Sequence, residues 1–153
     1  MWLILKKRLE NMELKLNNFK YNDIKVGDVF RFERLIDAAL VEKFSEVSWD
    51  YNPLHLNDQY AKTTEFGGRI SHGMLLGSMV SALVGMLIPS ERSLYLSQNF
   101  NFRRPVYLNT KVLVQGKILS KSDVARILDI ETLIKDAAGN ILVDGFAKVK
   151  VRE

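Results

Sequence analysis

Apolar and polar residues alternate over several stretches of the C-terminal half, and this period of two predicts strands. Lys111 to Leu119 places Val112, Val114, Gly116 and Ile118 on one face. Val124 to Lys135 is β-branched and alternating, and Ile141 to Val151 closes the series after a hairpin turn over Asp136-Ala137-Ala138-Gly139-Asn140. Ser93 to Arg103, with Leu94, Leu96, Phe100 and Phe102, predicts another strand. Nearer the N-terminus, Val29 to Leu35 carries Phe30, Phe32 and Leu35 after a turn at Val26-Gly27-Asp28. Between these strands the pattern is helical. Asp37 is placed to cap a short helix ending near Ser48, with Ala38, Val41, Phe44, Val47 and Trp49 on its apolar side. Gly73 to Ile88 is the longest uncharged stretch and predicts a long helix that runs to Leu87 and stops at Pro89. A strand, a short helix, a long helix and then a meander of strands make an α+β architecture, with the helix burying one face of the sheet.

The segment joining the two helices is irregular. Asn52-Pro53 signals a turn, because proline drives the preceding residue out of the helical region. Asn57 or Asp58 can cap a short helix through Tyr60 and Ala61, and Gly67-Gly68 predicts a loop. Residues 1–20 have no clear register and are expected to form a loose extension, with Met12 an alternative start. Residues 21–153 then form a single domain.

Composition narrows the chemistry. The 153 residues contain no cysteine, which excludes disulfides, thiolate catalysis and Cys-based metal centres, and fits a reducing cytoplasm. The formal charge of +4 is spread along the chain, without the dense basic run of a nucleic-acid partner. The apolar start Met1 to Leu5 precedes Lys6, Lys7 and Arg8, the reverse of a secretory signal. The 16 uncharged residues from Gly73 fall short of the roughly 20 that span a membrane. A soluble cytoplasmic protein is the expectation.

Both histidines lie between Asp50 and Gly73. Asp50 and His55 flank Asn52-Pro53, and a carboxylate and an imidazole gripping one water can remove its proton as it attacks an electrophilic carbon. Asn52 offers an amide to orient either partner. The same sextet also fits an Asx-turn beside a solvent-facing histidine. Gly73 opens the long helix, where backbone N–H groups lack intrahelical partners and can bind an oxyanion. His72 before it reads as a capping or packing residue. Gly73, Gly77, Ser81 and Gly85 recur every four residues, a ridge of small side chains that something approaches closely. Ser81 is its one hydroxyl, available to a ligand or to the Asp50 loop, whereas Ser78 faces elsewhere. Arg69, Arg103 and Arg104 are candidates for phosphate contact. No metal-binding His pair, phosphate loop or dinucleotide fingerprint is present.

Asp50-x-Asn52-Pro53-x-His55-x-x-Asp58, then Tyr60-Ala61, Thr64-x-Phe66, Arg69-Ile70 and His72-Gly73-Met74, resembles the signature of the MaoC-like (R)-specific enoyl-CoA hydratases. Phe102-x-x-Pro105-Val106 resembles the family's strand after the helix, and the likeness spans roughly Val26 to Val151. The resemblance implies a hot-dog fold, an antiparallel sheet wrapped around one long central helix, paired as a homodimer. It implies Asp50 and His55 as the catalytic dyad, Asn52 as support, the Gly73 N–H at the thioester carbonyl, and Ser81 holding loop or substrate. The implied reaction is hydration of a trans-2-enoyl-CoA to the (R)-3-hydroxyacyl-CoA, and its reverse. It needs no metal and no cofactor beyond the coenzyme A of the substrate.

Three rivals share the fold. A thioesterase would place a carboxylate on or near the long helix, and Gly73 to Ile88 has none. A non-catalytic acyl-thioester sensor would need a DNA-binding module, and the 25 residues before Val26 are too few for one. A dehydratase of acyl-carrier-protein substrates differs only in what carries the acyl chain.

Overall fold

The computed structural model describes residues 14–152. Its strands are β1 (Val29–Ile36), β2 (Ser93–Phe102), β3 (Thr110–Ser122), β4 (Ile127–Lys135) and β5 (Ile141–Val151). They form one antiparallel sheet in the order β1-β3-β4-β5-β2. The alternation expected of β3 is observed: Val112, Val114, Gly116 and Ile118 are all buried. Asp136 accepts hydrogen bonds from the Asn140 backbone and side-chain nitrogens, both at 2.9 Å, and closes the β4–β5 hairpin.

Three strand expectations are corrected. Val124 does not begin β4: it stands fully exposed in the preceding turn, because Ser122 pairs with Ile127 and leaves residues 123–126 to reverse the chain. In β2 a bulge between Tyr95 and Ser97 switches the inward face, so Tyr95 and then Phe100 turn inward while Leu94 and Leu96 stay exposed. In β1 the buried aliphatic is Ile36, not Leu35.

The long helix forms where expected but changes pitch. It is α-helical over Gly73–Ala82 and π-helical over Leu83–Leu87, where the Ile88 N–H reaches back to the Leu83 carbonyl at 3.1 Å. Leu75, Leu76, Met79, Val80 and Leu83 pack on Val112, Val114, Ile134, Leu142 and Val143 of the sheet. Val84 and Ile88 pack on a second cluster that includes Ile118, Leu128, Ile130 and Val149. Burying Leu83 completely contributes roughly 1.5–3 kcal/mol. Gly116 permits that approach, since a Cβ there would sit 2.7 Å from Leu83 Cδ2. This is the hot-dog arrangement of one long helix on one antiparallel sheet.

The small-residue ridge divides in two. A Cβ on Gly77 would lie 2.9 Å from Phe100 Cε2, so this half packs on β2. Ser81 is exposed, and a Cβ on Gly85 would meet nothing within 4 Å.

Three shorter helices precede the long one: α1 (Ala38–Ser48), α2 (Pro53–Leu56) and α3 (Asp58–Lys62), and we label Gly73–Ala82 α4. Asp37 caps α1 as expected, accepting the Leu40 N–H at 2.8 Å. The apolar side of α1 is narrower than its sequence suggests. Val41 and Ser45 are buried, but Val47 and Trp49 are 84% and 83% exposed. Trp49 adopts φ 61, which ends the helix and swings its side chain away from the core. Of the extension expected over residues 1–20, residues 1–13 and the Met12 start lie outside the described chain. Asn17 donates its N–H to the Met86 carbonyl at 3.0 Å, and Phe19 packs edge-on against Phe30.

Candidate active site

The left-handed Trp49 delivers Asp50 to the mouth of the segment between α1 and α2. Asp50 Oδ1 accepts the Asn52 N–H at 3.2 Å, and Asn52 Oδ1 accepts the Leu54 N–H at 3.0 Å. The Asx-turn reading is therefore correct, and it is compatible with chemistry, because it occupies one carboxylate oxygen of Asp50. Asn52 serves as the N-cap of α2, with Pro53 at the first helical position. That single turn of helix carries His55. Asn52 thereby fixes the start of the short helix that carries the imidazole.

His55 is half-buried, and its Nδ1 lies 2.8 Å from the Ile70 carbonyl oxygen. A carbonyl only accepts, so Nδ1 carries the proton and Nε2 is left as the basic nitrogen of the neutral ring. The expectation of a solvent-facing histidine does not hold for this ring.

Of the two roles expected for His72, capping or packing, the structure shows packing. It precedes α4 but makes no side-chain capping bond, and it is only 2% exposed. Its Nε2 lies 3.0 Å from the Asp50 carbonyl oxygen and 3.3 Å from Ser45 Oγ. Its ring centroid is 3.8 Å from that of His55, tilted by 36°, and 5.1 Å from that of Phe44. Burial lowers its pKa below the usual 6.5, nearby His55 lowers it further, and the Asp50 carbonyl and carboxylate oppose both. The available signal was modest: His72 is one of only two histidines and adjoins Gly73.

Potential ligand atoms of Asp50, His55 and His72 lie within 4.8 Å of one another, the one such group among the described residues that could hold a cation. His72 Nε2 carries a proton to bond the Asp50 carbonyl, which leaves Nδ1 as the one lone-pair nitrogen of that ring.

Gly73 is half-buried at the first position of α4, where helix geometry leaves the N–H without an intrahelical partner. A cavity of about 260 Å³ opens beside it, lined by Phe66, Ile70, Gly73, Leu76, Phe102 and Arg104, among others. Of the three arginines, two are engaged inside the protein. Arg69 NH1 donates to the Leu56 carbonyl at 3.2 Å, and its Nε is 3.2 Å from Asp58 Oδ1, an ion pair not aligned as a hydrogen bond. Arg103 grips Asp144 with Nε and NH2, which lowers the carboxylate's pKa. Arg104 remains at the cavity rim. Ser81 makes no hydrogen bond to the Asp50 loop among the described residues, and Ser78, expected to face elsewhere, shares the exposed side of α4 with it and Met74.

The family model described as the MaoC like domain matches residues 22–139. The chain belongs to the MaoC-like family. Within it, the chain is 36% identical over 128 residues to an (R)-specific enoyl-CoA hydratase of Aeromonas caviae, covering 84% of this chain and 96% of that protein. It is 34% identical over 127 residues to a mitochondrial 3-hydroxyacyl-[acyl-carrier-protein] dehydratase of Arabidopsis thaliana, covering 81% of this chain and 75% of that one. Among solved structures it resembles an unliganded R-hydratase of Pseudomonas aeruginosa with a TM-score of 0.87 at 34% identity, over 90% of this chain and 88% of the other. The MaoC-like domain thus begins just before β1 and takes in the whole Asp50–Gly73 segment.

Proposed function

We infer that this protein is a hydro-lyase that adds water to trans-2-enoyl-CoA to give (R)-3-hydroxyacyl-CoA, and removes it again in the reverse direction. The observation that carries this reading is the convergence of the Asp50 carboxylate and the His55 imidazole beside the N-terminus of α4. Family membership and relatives named as hydratases and dehydratases support it.

The mechanism follows from the groups present. The substrate's thioester oxygen takes the Gly73 N–H, which stabilises the negative charge that develops there. Asp50 and His55 Nε2 hold the water and accept its proton as the oxygen bonds to C3. The C2–C3 π pair moves into the enolate. The enolate collapses by taking a proton from the same pair at C2, on the same face, and both side chains return to their starting state. The step is redox-neutral and its electrophile is polarised by a backbone N–H, so it needs neither metal nor a cofactor beyond coenzyme A. We assign Arg104, at the rim of the cavity beside Gly73, to a phosphate of the carrier; Arg69 and Arg103 pair with Asp58 and Asp144. Ser81, exposed on α4, is assigned to the substrate.

Coenzyme A and acyl-carrier protein both end in the same pantetheine thioester. The likeness to a carrier-protein dehydratase makes the latter the second reading. We expect a homodimer in the cytoplasm, serving fatty-acid metabolism. Among the described residues one side of β2 has no neighbouring strand, and Leu94, Leu96 and Phe102 are exposed on β2, which favours pairing with a second copy.

The test is hydration of crotonyl-CoA, followed by loss of the enoyl-thioester absorbance, with chiral analysis of the product. Saturable formation of the (R)-alcohol that disappears in Asp50→Ala supports the reading. Failure with crotonyl-CoA, longer enoyl-CoA and enoyl-carrier-protein substrates alike refutes it.

A further inference from the structure

His72 occupies a position that the hydration chemistry does not itself require. The ring is buried at the start of α4, yet it touches both members of the dyad. Its Nε2 reaches the main-chain oxygen of Asp50 at 3.0 Å, and its face lies against His55 with 3.8 Å between centroids. The protonation state of this nitrogen is fixed twice over. The Asp50 carbonyl can only accept. Ser45 has a single hydroxyl hydrogen, which it donates to the Val41 carbonyl at 3.2 Å, so its oxygen can only accept from His72 at 3.3 Å. Nε2 is therefore a shared donor. His72 Nδ1 is buried and has no partner, as suits the nitrogen of a neutral imidazole that bears no hydrogen.

We propose that His72 is a positioning residue for the hydration: its Nε2–H holds the Asp50 main chain, and its ring face holds the His55 imidazole. The two contacts act on different degrees of freedom. The Ile70 carbonyl pins one edge of the His55 ring through Nδ1 but leaves it able to swing about that bond. The flat face of His72 closes off one side of that swing, so that Nε2 stays directed at the water. Asp50 is exposed and follows a left-handed residue, so its placement depends on what grips its backbone. His72 supplies that grip and ties it, through Ser45, to the buried side of α1. Neutrality belongs to the device as well. His55 gains a proton during each turnover, and a second cation stacked on it would oppose that gain. His72 reaches no substrate, because it is covered by the elements it joins.

This inference rests on the hydratase reading of the same site, and two variants separate its parts. His72→Gln keeps an N–H near the Asp50 carbonyl and removes the ring face. His72→Phe keeps the face and removes the donor. Both are expected to lower kcat by roughly 10- to 100-fold, the scale of a small misplacement of catalytic groups, while KM changes little. Folded variants that both retain wild-type kcat overturn the proposal, and so does a loss confined to KM.

A second measurement needs neither substrate nor variant. The protein has only two histidines, so nitrogen-15 histidine spectra contain two rings. At neutral pH one ring should be an Nε2–H tautomer that stays neutral, and the other, His55, should carry its proton on Nδ1. Two rings of the same tautomer, or a His72 that is charged at neutral pH, overturn the assignment even if the variants fail to fold. Wild-type protein without hydratase activity would instead refute the reaction, and the spectra would still decide the contact.

Discussion

Replacing Gly73 by alanine separates stability from chemistry. A Cβ at this position would lie 3.0 Å from both Cδ1 and Cε1 of Phe102 and 3.3 Å from Cζ. Ordinary carbon contacts are wider, so the ring must retreat by a few tenths of an ångström. Phe102 is 50% exposed and can do so towards solvent. Overpacking of this kind costs about 1–3 kcal/mol, and alanine recovers up to about 1 kcal/mol of helix propensity. The net loss of stability is then roughly 0–3 kcal/mol, which for a chain of this size lowers Tm by less than about 12 °C. The chemical cost is larger. The added methyl group stands beside the N–H that the thioester oxygen must meet. Loss of one such donor lowers kcat by about 10²- to 10³-fold, roughly 3–4 kcal/mol. Steady-state hydration of crotonyl-CoA, with kcat and KM resolved, is the assay, alongside a thermal melt. Gly77→Ala is the control: its Cβ would crowd Phe100 Cε2 at 2.9 Å, one helical turn beyond the proposed oxyanion site, and should lower Tm with far less effect on kcat. A folded Gly73→Ala protein whose kcat stays within about threefold of wild type would refute the oxyanion role.

Asp50→Ala and His55→Ala should each reduce crotonyl-CoA hydration by about 10²-fold or more with the fold intact by circular dichroism; near-full turnover in either removes that residue from the dyad. Arg104→Ala should raise KM for crotonyl-CoA several-fold and leave kcat unchanged, whereas an unchanged KM argues against a phosphate contact. Stability should depend on the protonation of His72. Unfolded, the ring titrates near 6.5; folded, burial moves it lower, with His55 adding to the shift, Asp50 opposing it, and the facing Ser45 and Phe44 not titrating. The native state therefore binds fewer protons, so this contribution is complete above about pH 6.5 and declines as pH falls towards the folded value. Urea midpoints measured on either side of pH 6.5 should fall more in wild type than in His72→Gln, and equal falls in both would contradict the linkage.

Much of this molecule is written in local pattern. The period of two in β3 and β5, the Asp37 cap, the Asp136–Asn140 turn and the uncharged run from Gly73 depend on neighbours a few residues away, and each appears where its sequence places it. The candidate dyad was legible for the same reason: Asp50 and His55 share one short segment whose turn residues, Asn52 and Pro53, dictate its path. Other features depend on partners distant in sequence. The bulge at Leu96 answers to pairing with β5, and the late start of β4 answers to its register with Ser122. The exposure of Val47 and Trp49 follows from where α1 meets the rest of the chain. Only folding sets Asp58 and Asp144 beside Arg69 and Arg103, which the sequence offers as candidate phosphate contacts. His72 shows the difference most clearly. Its residue type and its place before Gly73 are local facts, but its contacts to the Asp50 carbonyl, to Ser45 and to the His55 ring exist only once α1, α2 and α4 meet. Hydrogen bonding and ring stacking act over a few ångströms in space, without regard to separation along the chain, so tertiary structure alone could set this packing residue against Asp50 and His55.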